Sequence, residues 1–193
     1  LNILCINDNW MDLIPKGLVS SYLYLYHSVR GLGCEDAESI EKDVLRTVGV
    51  VKDGPKVFSD TSDLGKAGLA RSMHRVLTAI SITDSMGYCQ GMNYVVDFLL
   101  KMTSEEETYS IFLYTLRNKH LCSLYETKLP VLSEFMEIFE SQLAIRLPIL
   151  SNHLRDRGFI APFYSIEWFT TLFTLASPFD LTVAVWDMFL AGI

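Results

Sequence analysis

Cysteine is sparse and scattered in this chain of 193 residues, standing only at positions 5, 34, 89 and 122. There is no CxxC pair and no disulfide density, which excludes a local thiolate zinc frame and a disulfide-built fold. Reduced thiols are expected. His27, His74, His120 and His153 never stand three to five residues from one another or from a cysteine, so no local zinc pair is expected. Glycine-rich phosphate cradles are missing, with neither GxxxxGK[ST] nor GxGxxG present, so the chain is not expected to bind a nucleotide alone. Basic residues are outnumbered, 16 against 23 acidic, giving a net charge of −7 and a pI near 5.0. A chain so acidic lacks the cationic surface that a nucleic-acid backbone demands. Long apolar runs are also absent. The longest uncharged stretch near the start, Gly17 to Val29, is interrupted by His27 and falls short of the roughly 18 residues needed to cross a bilayer. No spanning helix and no secretory signal are expected, which points to a cytoplasmic protein.

What is present is a core. Half the residues are hydrophobic, 12% are aromatic and 20% are charged, a composition that suits one globular domain over 1–193 and excludes disorder. Apolar residues recur at helical spacing, and no alternating segments are joined by a hairpin turn, so the fold class is all-α. An early helix is predicted from Pro15 to Val29, and a second from Asp36 to Thr47 with Ile40, Val44 and Val48 on one face. A loop over 50–63 leads to a helix whose stripe is Leu69, Met73, Val76, Leu77 and Ile80. Gly87 and Gly91 bracket a tight segment before a helix with Met92, Val95, Val96 and Leu99. Ser104 and Glu107 match a capping box. Leu132 to Leu143 form another helix, Pro148 opens a shorter one and Gly158 stops it. The aromatic last third is divided into two helices at Ser177-Pro178, since proline cannot continue the first.

Two segments hold polar groups that packing does not require. In Ile40-Glu41-Lys42-Asp43-Val44-Leu45-Arg46, the spacing of Asp43 and Arg46 sets them side by side on the helix flank. The carboxylate can then restrain the guanidinium before its planar fork meets an external phosphate. A surface ion pair worth a few tenths of a kcal/mol is the plainer alternative. In Met86-Gly87-Tyr88-Cys89-Gln90-Gly91-Met92-Asn93, flanking glycines free the backbone and Gln90 displays a carboxamide at the mouth of the next helix. It has both the donor and the acceptor that positioning a water needs. The alternative there is a turn with a buried tyrosine and a glutamine capping backbone groups. Cys89 reads as a half-buried filler, with a thiolate nucleophile as the minor alternative. Trp168, Phe173, Trp186 and Phe189 recur at helical spacing and read as core, and Asp187 as a cap or a core partner.

Taken together, Ile40, Asp43, Arg46 and then Tyr88, Gln90, Gly91 resemble the paired IxxDxxR and YxQG signatures of the TBC domain, the catalytic module of Rab GTPase-activating proteins. The resemblance extends through Gly91-Met92-Asn93, Glu167-Trp168 with Phe173, and Ser177-Pro178-Phe179-Asp180 into Trp186-Asp187-Met188-Phe189-Leu190. It implies a GTPase activator whose partner is a Rab-type small GTPase in its GTP-bound form. Arg46 would be an arginine finger and Gln90 a second finger that positions water, while Asp43, Tyr88 and Gly91 support them or contact the partner. It implies no cofactor of its own, since GTP and Mg2+ belong to the partner, and only indirect association with endomembranes. A catalytically silent docking module is the alternative function. Residues 38–193 bear the motifs, whereas 1–37 match poorly, Leu13-Ile14-Pro15 preserving only part of the family's entry. The family's domain continues past the WDxFL segment, so its last C-terminal helices are expected to be lacking.

Overall fold

Helix α1, Ala37–Gly49, buries Ile40, Val44 and Val48 along one stripe, as the four-residue spacing of those positions requires. The computed structural model describes residues 10–18, 21–22, 34–49, 63–83, 86–118, 121–125 and 130–191. Most of the helix expected over 15–29 and of the loop expected over 50–63 lies outside these. Against α1 pack α2, Asp63–Ile82, and α3, Met92–Leu100. The α2 stripe of Met73, Val76, Leu77 and Ile80 is fully buried. Helix α3 is short and buried at every position except Tyr94. A helix of that length is marginal alone, and its stability comes from the α1, α2 and α4 faces that enclose it.

Helix α4, Glu105–Asn118, opens on the expected capping box. The Ser104 amide donates to Glu107 Oε2 at 2.9 Å, and the Glu107 amide donates to Ser104 Oγ at 3.3 Å. Helices α5, Pro130–Arg146, and α6, Pro148–Asp156, follow, with Pro148 in the first turn of α6. Gly158 ends α6 as expected. At φ +77 it allows its own amide to reach Arg155 O and the Phe159 amide to reach Leu154 O, a Schellman closure.

Helices α7, Pro162–Thr170, and α8, Phe179–Ala191, divide the aromatic third, but not where the proline stands. Helix α7 stops at Thr170, and Leu172 and Phe173 turn the chain with φ +47 and +66. Side chains rarely take that left-handed region, so the break belongs to the 171–176 turn, and Pro178 only sets the entry to α8. Trp186 is core as expected, whereas Phe173 lies in the turn rather than on a helix. Together with Phe135, Phe139, Phe169 and Phe189 these rings line an apolar hollow of about 350 Å³.

The N-terminal 3-10 turn, Trp10–Leu13, is fastened to the far end of the chain. The Trp10 indole packs on Trp186 and Phe98 and donates to Asp187 Oδ1 at 2.6 Å, so Asp187 pairs with a half-buried ring at the edge of the core. Among the described residues there is no β-strand, and no helix is long and apolar enough to cross a membrane.

Candidate functional site

The site forms where α1 lies beside the segment that enters α3. Asp43 sits one helical turn before Arg46, and Arg46 donates to Asp43 Oδ1 at 3.2 Å. The pair is asymmetric. The Arg46 side chain is 57% exposed and that of Asp43 only 11%, so a sheltered carboxylate holds a guanidinium whose other donors face outward. A plain surface ion pair would expose both.

The inward oxygen of Asp43 explains the shelter. Tyr88 directs its hydroxyl proton to Asp43 Oδ2 at 2.9 Å. Burial raises the Tyr88 phenol above its ordinary value of 10.0, and the hydrogen bond and negative charge of Asp43 raise it further. The hydroxyl therefore stays a donor throughout the neutral range. One carboxylate thus joins both motifs.

Three residues to which the sequence reading assigned no role complete the frame. Asp36, immediately before α1, accepts from the Tyr88 amide at 2.7 Å and from Ser81 Oγ at 2.6 Å. Asn93, in the first turn of α3, accepts from the Gly91 amide at 2.9 Å and donates to Thr47 Oγ1 at 2.8 Å. Thr47 Oγ1 in turn donates to the Asp43 carbonyl at 2.7 Å. The Asp36 and Thr47 signals are common ones, a helix-start acid and a threonine bonded one turn back. Their distant partners have no local signature.

Gly91 meets a steric demand. It has φ +116, and a Cβ there would lie 2.5 Å from the Thr170 carbonyl oxygen, closer than any carbon can sit. Tyr125 donates its hydroxyl to that same oxygen at 3.0 Å, which pins the wall against which the turn is pressed. Gly87, at φ +74, provides the other bend.

Gln90 stands exposed at the tip of this turn, and its carboxamide has no hydrogen-bond partner among the described residues. It caps no backbone group among them; the Asn93 side chain takes the Gly91 amide instead. Cys89 beside it is half-buried, and burial pushes its thiol up, which disfavours the thiolate a nucleophile needs. Among the described residues no three His, Cys, Asp or Glu side chains cluster to hold a metal ion.

The fold and this frame define an all-α domain that presents one arginine and one carboxamide from two segments locked to a shared carboxylate. The chain belongs to the Rab-GTPase-TBC domain family, whose model matches residues 18–193. It is 26% identical over 187 residues to the Rab GTPase-activating protein eat-17 of Caenorhabditis elegans, covering 93% of this chain and 21% of that protein. It is 28% identical over 152 residues to the human ecotropic viral integration site 5 protein homolog, covering 78% of this chain and 18% of that protein. The chain therefore spans about a fifth of the length of these relatives. The crystal structure of the Chlamydomonas flagellar RabGAP TBC domain is similar with a TM-score of 0.64 at 21% identity, covering 94% of this chain and 60% of that one, a likeness of fold.

Proposed function

We propose that this chain accelerates GTP hydrolysis on a GTP-bound Rab-type small GTPase, supplying Arg46 and Gln90 as its two catalytic residues. The observation that carries the reading is Asp43, whose two oxygens bind Arg46 and Tyr88 and so couple the motif bearing the guanidinium to the turn bearing the carboxamide. Family membership and the name of the Caenorhabditis elegans relative support it. The partner would bring GTP and Mg2+, and the chain no cofactor of its own.

The chemistry asked of this chain is small and geometric. The outward donors of Arg46 would meet negative charge growing on phosphate oxygens, and Asp43 has already removed part of the entropy cost of ordering that fork. The Gln90 carboxamide would accept from a water and donate to a neighbouring oxygen, holding the water for in-line attack. We assign this activity to the cytoplasmic face of endomembranes, reached through the GTPase.

Single-turnover GTP hydrolysis by a panel of Rab proteins, with and without the chain, tests the proposal. Acceleration by at least one Rab is expected, and Arg46→Ala or Gln90→Ala should each lower it by about 10²-fold or more, since trans-acting arginines supply about 10³ to 10⁵. Arg46→Lys should not restore it, because an ammonium lacks the planar fork. An acceleration that survives Arg46→Ala rejects the catalytic assignment. Binding without acceleration makes the chain a docking module.

A further inference from the structure

We infer that Asn93 is a positioning residue that aims Gln90 by tying the turn to α1, the helix that carries Arg46. The kinetic part of this inference rests on the GTPase-activator reading; the structural part does not.

The peptide joining Gln90 to Gly91 carries the Gly91 N–H, and that N–H is the one Asn93 Oδ1 accepts at 2.9 Å. Holding this peptide plane restrains ψ of Gln90 together with φ of Gly91, and so the direction in which the Gln90 Cα–Cβ bond leaves the turn. The Met92 amide closes the turn on the Cys89 carbonyl at 3.2 Å, but no hydrogen bond among the described residues holds the Gln90 side chain itself, and the glycine that follows offers little torsional resistance of its own. The other end of the Asn93 carboxamide donates to Thr47 Oγ1 at 2.8 Å, in the last turn of α1.

The residue type is dictated on both sides. Thr47 has spent its proton on the Asp43 carbonyl, so whatever reaches Thr47 must donate, and whatever reaches the Gly91 amide must accept. A carboxamide presents both on one planar group. A carboxylate would fail at Thr47 and would place a second buried negative charge near Asp43, because the Tyr88 hydroxyl lies 3.2 Å from Asn93 Oδ1 and 2.9 Å from Asp43 Oδ2. Asn93 is 2% exposed, so it does not touch a docking partner itself.

Together with Asp36 and Asp43, this contact gives the turn three anchors, one at Asp36 just before α1 and two within the helix at residues 43 and 47, one turn apart. A rigid helix and a turn fastened along its length behave as one body, so Arg46 and Gln90 keep their relative placement.

Two variants separate this role from simple capping of α3. Asn93→Ala removes both bonds; Thr47→Val keeps the volume and the Gly91 bond but cuts the tie to α1. The measurements are the Gly91 amide exchange rate and the kcat and KM of the stimulated reaction, on full-length chain well below its Tm. Asn93→Ala should speed Gly91 exchange at least about tenfold and lower kcat by about 10²-fold with KM held within about twofold, the cost expected of a misplaced group. Thr47→Val should lower kcat about tenfold by the same reasoning. Wild-type kcat in Thr47→Val, with Asn93→Ala changing only Tm, reduces Asn93 to a helix cap and overturns the inference. Unchanged Gly91 exchange in Asn93→Ala overturns it as well. Should the unaltered chain stimulate no Rab, the activator reading fails, and Gly91 exchange alone decides the tie. If Asn93→Ala does not fold, Thr47→Val carries the test.

Discussion

The hydroxyl of Tyr88 lies 2.9 Å from Asp43 Oδ2, and the opposite oxygen of that carboxylate holds Arg46 at 3.2 Å. A half-buried phenol therefore reaches an exposed guanidinium through a single carboxylate. Each partner supplies what the carboxylate lost on leaving water, which is why a charge can sit at 8% exposure without an ion pair on both sides.

Removing one partner should expose that coupling. Tyr88→Phe leaves Asp43 Oδ2 without its phenol donor and should cost about 1–3 kcal/mol in urea unfolding. The Tyr88→Phe, Asp43→Asn double variant should cost less than the sum of the singles by more than about 0.5 kcal/mol. Strict additivity would mean that the two side chains do not act as a pair.

The same chain should weaken in alkali. Burial raises Tyr22, Tyr88 and Tyr125 above 10.0, aided at the first two by hydrogen bonds to Glu105 and Asp43. A folded pKa above the unfolded one means that the unfolded chain loses its protons first. Stability is thus fully present below 10.0 and is lost as pH rises from there toward the folded values. Urea midpoints measured from about pH 8 to about pH 11 should fall at the upper end, and the fall should be shallower in Tyr88→Phe. A flat profile would show these phenols to be solvated.

Gly91→Ala should harm both stability and stimulation. The new Cβ would meet the Thr170 carbonyl at 2.5 Å with φ at +116, and such strain costs about 1–3 kcal/mol. The turn has to move to relieve it, so Gln90 is displaced as well. A Gly68→Ala control, where a Cβ meets nothing within 4 Å, should be neutral or slightly stabilising. Equal behaviour of the two in thermal unfolding and in stimulated hydrolysis would contradict the close approach.

Cys89 should prove inert and dispensable. Its raised thiol should react with iodoacetamide at neutral pH more slowly than a free cysteine does, and Cys89→Ser should keep the stimulated rate within about twofold. Loss of activity in that variant, with Arg46→Ala still active, would instead support thiol chemistry.

Periodicity made much of the fold legible. The α1, α2, α3 and α4 stripes, the Ser104 and Glu107 box, Pro148 and Gly158 all act within a turn or two of themselves, and local geometry is what spacing encodes. The end of α7 escaped the same reasoning, because Pro178 marks where a helix cannot continue, whereas Leu172 and Phe173 bend the chain six and five residues earlier. At the site, Asp43 and Arg46 were legible as neighbours and Gln90 as a displayed carboxamide. Asp36, Thr47 and Asn93 had no visible partners, being joined to residues 46 and 52 positions away.

The amino-acid order by itself determined the stripes of α1 to α4, the ion pair one turn apart and the glycine-flanked turn, because each depends on torsions and contacts within a few residues. Only the tertiary structure decided that α1 and that turn share one hydrogen-bonded frame. Packing of α1 and α3 brings Tyr88 to Asp43 across 45 residues of chain. A carboxylate is stable in that sheltered place only where distant donors come to meet it.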